Sequence, residues 1–112
     1  GIALLRAAMD IEKDTTTFGD SNIGVDILIK ACKAPFNTIL ANAGINADVI
    51  AKDLTDEYTN GYDSRTRTYV NMIEAGIIDP AKVTRSAIEN AASVSGLLIT
   101  TECVLIEKPT VK

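Results

Sequence analysis

Asp79-Pro80-Ala81-Lys82-Val83-Thr84-Arg85-Ser86-Ala87-Ile88-Glu89-Asn90-Ala91-Ala92-Ser93-Val94-Ser95-Gly96-Leu97-Leu98 is the stretch that decides the fold class. An N-cap acceptor, Asp79, precedes a proline at the first helical position, where its missing N–H costs nothing. The apolar stripe Val83, Ala87, Ala91, Val94, Leu98 then recurs at three and four residues, the helical period. The small residues Ala87, Ala91, Ala92, Ser93, Ser95 and Gly96 let a neighbouring backbone come close, which predicts a central, tightly packed helix. Gly96 weakens its last turn. Downstream, Val104-Leu105-Ile106 within Thr100 to Glu107 favours a strand apolar on both faces, stopped at Lys108-Pro109.

Upstream of this helix the pattern is also mainly helical. From Ile2 to Lys13, Leu4, Leu5, Ala8, Met9 and Ile11 form an apolar face against Arg6, Asp10 and Lys13. A polar loop holding Thr15-Thr16-Thr17 and Gly19 follows. Asp20 or Ser21 then caps a second helix that is apolar over most of its circumference. Pro35 has no amide hydrogen and disfavours helical geometry at Ala34, so a kink or break is expected there before Phe36, Ile39 and Leu40 continue the face. Gly44 offers a stop. Asn46 caps a short helix over Ala47 to Leu54. Thr55 to Asp63 reads as a loop or small hairpin carrying an Asn60-Gly61 turn signal. Asp63 or Ser64 opens a further helix over Arg65 to Ala75, with Tyr69, Met72 and Ile73 inward and Gly76 ending it. The fold class is therefore all-α, with a short hairpin or loop and one C-terminal strand. Without internal repeats or a linker, it is one body.

Composition narrows the function. The 112 residues are 46% hydrophobic and 23% charged but only 4% aromatic, so a globular core must be built from Ala, Ile, Leu and Val. A net charge of −4 with no histidine and scattered Lys and Arg argues against a nucleic-acid partner. No apolar run approaches the ~20 residues that cross a bilayer, so no membrane partner is expected. Cys32 and Cys103 are too far apart in sequence for a metal-binding pair and are expected to be free and buried. The chain opens directly into helical periodicity without an initiator Met, and the natural polypeptide is expected to extend upstream.

Residues that could carry chemistry are few. There is no Walker-type loop, no H-E-x-x-H and no Ser or Cys beside an evident base, so no catalytic residue is assigned. The acidic groups Asp53 with Asp56-Glu57, and Glu102 with Glu107, read as solvated surface. Asp79 has two readings: an N-cap of the helix beginning at Pro80, or a carboxylate that also accepts hydrogen bonds from ligand hydroxyls. Ile77 is either core packing or an apolar face for a ligand's base.

Two runs are recognisable. Gly61-Tyr62-Asp63 followed by Tyr69-Val70-Asn71-Met72-Ile73-Glu74-Ala75-Gly76-Ile77-Ile78-Asp79-Pro80-Ala81-Lys82-Val83-Thr84-Arg85-Ser86-Ala87, and Ala91-Ala92-Ser93-Val94-Ser95-Gly96-Leu97-Leu98-Ile99-Thr100-Thr101-Glu102-Cys103, closely resemble the C-terminal region of group I chaperonins. Gly1 to Ala7 looks like the end of that family's glycine-rich turn, and Ala34-Pro35 matches a family helix break, so the resemblance covers essentially the whole chain.

The resemblance implies the C-terminal half of the ATP-binding equatorial domain of a protein-folding machine. On it, Asp79 falls at the aspartate that contacts the nucleotide ribose, Ile77 at the apolar residue beside the adenine, and Gly1 at the glycine turn near the same pocket. Asp63, Ser64 and Arg65 fall at the base-edge positions, where many members have Asn followed by Ala-Ala. The resemblance further implies ATP with Mg in the full-length parent and a double heptameric ring of like subunits. A co-chaperonin and unfolded proteins would bind through intermediate and apical domains not among these residues. The expected location is a bacterial cytoplasm or an organelle matrix. The phosphate loop, the metal-binding acid and the Asp-Gly-Thr-Thr-Thr segment belong to the family's N-terminal half, so the 112 residues alone are expected neither to hydrolyse ATP nor to hold it tightly. The competing reading is a stand-alone helical protein–protein interaction module whose strand adds to a partner sheet.

Overall fold

The computed structural model describes residues 1–14, 22–54 and 57–111. The expected Thr15-Thr16-Thr17 loop with Gly19, the cap at Asp20 or Ser21, and Thr55 and Asp56 lie outside them. Among the described residues the order is α1 (Ile2–Lys13), α2 (Asn22–Asn42), α3 (Ala47–Asp53), β1 (Asn60–Asp63), β2 (Thr68–Asn71) and α4 (Ala81–Ile99). The chain is mainly α with a small β part, and it divides into two units, Gly1–Pro80 and Ala81–Lys112.

The first unit is built on α1 packed against α2. Leu5 and Ala8, three residues apart, are buried from α1, and Ile29, Cys32, Phe36 and Leu40 are buried from α2 at spacings of three, four and four. That line explains why the helix does not break at Pro35: α2 runs as one helix from Asn22 to Asn42. Buried residues on both sides of the proline belong to one face, so their burial against α1 outweighs a cost of ~3 kcal/mol for an internal proline. The Thr38 hydroxyl donates to the Ala34 carbonyl at 2.8 Å within this segment. A Lys33–Glu12 ion pair joins the two helices at their surface.

Helix α2 ends as its sequence dictates. Gly44 sits in the left-handed region at φ +70°, the Gly44 amide donates to Ala41 and the Ile45 amide reaches back to Leu40. This is a Schellman closure, with Ile45 packed on the core that contains Leu40. Asn46 then caps α3, its side chain accepting from the Asp48 amide at 2.9 Å, and Ile50 completes the core.

The helix expected over Arg65 to Ala75 does not form; the segment is mostly hairpin. β1 pairs antiparallel with β2 in the register Asn60–Asn71, Gly61–Val70, Tyr62–Tyr69 and Asp63–Thr68. The chain reverses at Ser64 to Arg67, not at Asn60-Gly61, which begins β1. Two local devices outweigh the weak helical period. The Asp63 carboxylate accepts from the amides of Arg65 and Thr66, and the Arg67 amide donates to the Asp63 carbonyl at 2.8 Å. Cross-strand Tyr62 and Tyr69 pack edge to face with centroids 5.1 Å apart. After β2 only one turn of helical character survives. Asn71 Oδ1 accepts from the amides of Ile73 and Glu74, and Gly76 at φ +72° closes the turn as the Ile77 amide donates to Met72.

The second unit comprises α4 and the segment after it. α4 begins at Ala81, one residue after Pro80, the position expected to open it. The expectation of a central, tightly packed helix is not met: none of its residues is buried, and Val94, Leu97, Leu98 and Ile99 are exposed. Periodicity encodes the helix and the face that needs covering, but not the surface that covers it. The expected strand over Thr100 to Glu107 is likewise absent, and Val104, Leu105 and Ile106 are exposed. High β propensity does not make a strand without a hydrogen-bonding neighbour.

The two cysteines are free, but only Cys32 is buried; Cys103 is exposed, against expectation. Burial also pushes the Cys32 thiol above its ordinary pKa, lowering its thiolate fraction at neutral pH. Alkylation of the folded chain at pH 8 is therefore expected at Cys103 first, with Cys32 reacting at an unfolding-limited rate. Equal rates by peptide mass spectrometry would contradict the packing of α1 on α2.

Candidate functional site

A cavity of about 310 Å³ opens within the first unit, between the start of α1, the C-terminal half of α2 and the hairpin. This volume lies at the lower end of the ~300–1,000 Å³ typical of small-molecule sites. Gly1 and Ile2 from the start of α1, Phe36, Ile39 and Leu40 from α2, and Tyr62, Met72 and Ile77 from the hairpin and the turn after it line it. Asp63, Ser64 and Arg65 contribute its polar side chains.

Arg6 fixes the hairpin to α1. Its Nη2 donates to the carbonyls of Glu57 at 2.7 Å and Asn60 at 2.8 Å, and its guanidinium lies 5.3 Å from the Tyr58 ring centroid. The Tyr58 hydroxyl donates to Asp10 at 3.0 Å. At the turn, Arg67 Nη2 donates to the Ala43 carbonyl at 3.2 Å, tying the hairpin to the end of α2. Close approach then demands a glycine at position 1 and favours one at position 61. A Cβ on Gly1 would lie 2.7 Å from the Phe36 nitrogen and 2.8 Å from its Cα, and one on Gly61 would meet Met72 Cγ at 2.6 Å. The former obstacle is helix backbone and cannot yield; the latter is a flexible side chain.

Of the six residues assigned to a ligand site, Gly1, Asp63, Ser64, Arg65 and Ile77 line this one cavity. Asp79 is exposed and is not among the lining residues; it stands two residues beyond Ile77. The sequence reading missed Phe36, Tyr62 and Met72 as site residues. Phe36 and Met72 follow an inward apolar pattern that does not distinguish core from cavity wall. The only available hint was the adjacency of Tyr62 to Asp63.

Asp63 Oδ1 accepts from the Arg65 amide at 2.8 Å and the Thr66 amide at 3.4 Å. These bonds, the Arg65 amide foremost, hold its carboxyl below the ordinary aspartate range despite some desolvation. Since the folded pKa is depressed, the stabilisation of the turn is complete above the unfolded-state pKa and is lost as pH falls through the lower folded value. An NMR titration is expected to show the Asp63 carboxyl and the Arg65 amide moving together below the range of exposed aspartates; a titration at the ordinary value would contradict the turn. Tyr69, whose hydroxyl donates to Asp53 at 3.1 Å, has its pKa raised, chiefly by desolvation and then by that carboxylate.

No cluster of three or more metal-ligating side chains occurs among the described residues, and Asp63 is the one carboxylate lining the cavity. These residues do not themselves fit a magnesium ion. Nor is any helix among the described residues long and apolar enough to cross a membrane.

These features define a mainly helical protein with a small, largely apolar cavity whose polar side chains come from Asp63, Ser64 and Arg65. The chain matches the TCP-1/cpn60 chaperonin family across residues 1–109, and it belongs to that family. Its role is accordingly that of a chaperonin in protein folding.

Proposed function

We propose that this chain is the C-terminal half of the equatorial domain of a group I chaperonin, and that its cavity holds the base and ribose of ATP. The observation that carries the reading is the convergence of Gly1, Asp63, Ser64, Arg65 and Ile77 on one cavity, although Gly1 and Ile77 are 76 positions apart in sequence. Its volume suits a nucleoside rather than a whole nucleoside triphosphate. Apolar lining residues stack against a base, and the few polar groups orient it. Asp79, beyond Ile77, is the residue assigned to the ribose hydroxyls.

Bound ATP supplies the phosphoanhydride whose hydrolysis drives the machine. The residues of this chain hold and orient the nucleoside end. Catalysis, phosphate binding and the magnesium site are assigned to the rest of the parent, which also provides the ring of like subunits, the co-chaperonin contact and client binding. The 112 residues by themselves are therefore inactive as an ATPase.

Asp79→Ala in the native full-length protein is the test. Loss of two ribose hydrogen bonds to a charged acceptor, each worth ~1.5 kcal/mol or more, predicts at least a tenfold rise in the Kd for ATP by calorimetry. The unfolding temperature is expected to fall only slightly. An unchanged Kd would remove Asp79 from the site and leave it as a surface acid beside α4.

A further inference from the structure

Arg67 has a backbone that arginine rarely adopts. It closes the Ser64–Arg67 reversal at φ +58°, the one non-glycine residue with positive φ among the described residues, where glycine or asparagine would sit at lower steric cost. Arginine offers what those two lack, which is reach. Its Nη2 donates at 3.2 Å to the carbonyl of Ala43, just past Asn42 at the end of α2, where carbonyls unpaired within the helix carry partial negative charge. The bond joins two parts of the cavity lining: Ile39 and Leu40 lie in the last turn of α2, and Asp63, Ser64 and Arg65 lie at the reversal. Arg6 holds the entry to β1 on α1, and Tyr69 holds β2 on the end of α3. Among the described residues, Arg67 is the one member of the reversal whose side chain hydrogen-bonds outside the hairpin. A two-stranded hairpin has little stability of its own, so its seating depends on such ties.

We infer that Arg67 is a positioning residue for the nucleoside: it latches the reversal to the end of α2 and so holds the cavity at the spacing that accepts the ligand. The inference rests on the nucleotide reading of the cavity, and Arg67 itself is not among the lining residues. Apparent affinity falls with the fraction of molecules in the competent state, so releasing the latch weakens binding with every lining residue intact.

The test measures ATP binding and steady-state hydrolysis by the native full-length protein and its Arg67→Gly, Arg67→Asn and Arg67→Lys variants. Glycine and asparagine suit the left-handed backbone but lack the reach to Ala43. Both are expected to raise the Kd for ATP by about threefold to tenfold while the unfolding temperature stays within about 2 °C of the wild type. KM should rise in step and kcat stay within about twofold, because the latch seats the nucleoside and touches no reacting atom. Arg67→Lys keeps a cationic donor near the helix end and should fall between the wild type and the glycine variant. Unchanged Kd and KM in Arg67→Gly and Arg67→Asn, with ATP bound by the wild type, would overturn the inference and leave the nucleotide site standing. A rise in Kd that tracks a fall in unfolding temperature across the three variants would also overturn it, assigning Arg67 to fold stability alone. Failure of the wild type to bind ATP would overturn the nucleotide reading, and this inference with it.

Discussion

Leu40→Ala is expected to destabilise the first unit by about 3 kcal/mol, within the ~2–5 kcal/mol range for emptying a buried leucine site. Leu40 is 2% exposed, the only large side chain fully buried among the described residues, and shares its cluster with Leu5, Phe36 and Ile50. It also provides the carbonyl that closes the Schellman turn through Ile45. Truncation removes the transfer energy of the side chain and leaves a void that the α1–α2 contact and the turn restrain from collapsing. Ile27→Ala, on the same helix but 65% exposed, should change the stability of the 112-residue chain by no more than ~0.5 kcal/mol. Denaturant unfolding followed by circular dichroism measures both. Similar losses at the two positions would mean that α2 presents a different face to α1.

Ile77→Asp is expected to weaken ATP binding by the native full-length protein by tenfold or more. Ile77 is 40% exposed and lines the cavity. Fully burying an isoleucine is worth ~1.5–3 kcal/mol, and about half of that is within reach of a base that covers a partly exposed wall. The introduced carboxylate adds desolvation on ligand binding. If Ile77 only packs the core, the variant should lose thermal stability while its folded fraction binds ATP as tightly as the wild type. Calorimetry alongside thermal unfolding separates the two roles.

The helices were legible because each carries its own instructions. The stripe from Val83 to Leu98, the Asn46 cap and the Gly44 stop need no tertiary information, and α1, α3 and α4 follow them closely. Where two local signals competed, periodicity misled. Tyr69, Met72 and Ile73 suggest a helix over 65–75, yet the Asp63 side chain had already committed the backbone to a reversal at Ser64–Arg67. Pro35 misled in the opposite sense, because the penalty of a proline is local while the burial of Ile29, Cys32, Phe36 and Leu40 along one face is collective. The C-terminal segment shows a third limit. The β propensity of Val104-Leu105-Ile106 is plain in sequence, but the partner that would make it a strand is not.

The site was legible in a different way. Spacing alone left Asp79 as a helix cap and Ile77 as core, and nothing in composition connected either with Gly1. Family resemblance grouped them, and the cavity now gathers all but Asp79 through physical causes: the glycine contact at Phe36, the Arg6 clamp on the hairpin and the closure at Gly76. Phe36 and Met72 remained hidden because an apolar wall and an apolar core have the same sequence pattern until the fold shows which one faces a void.

The central claim is that the base of ATP occupies this cavity, and covalent mapping tests it most directly. The native full-length protein is irradiated with 2-azido-ATP, digested and sequenced by mass spectrometry, with excess ATP as competitor. The account predicts ATP-protectable label on the peptides bearing Tyr62 to Arg65 and Ile77; protectable label confined to peptides that line no part of the cavity would contradict it.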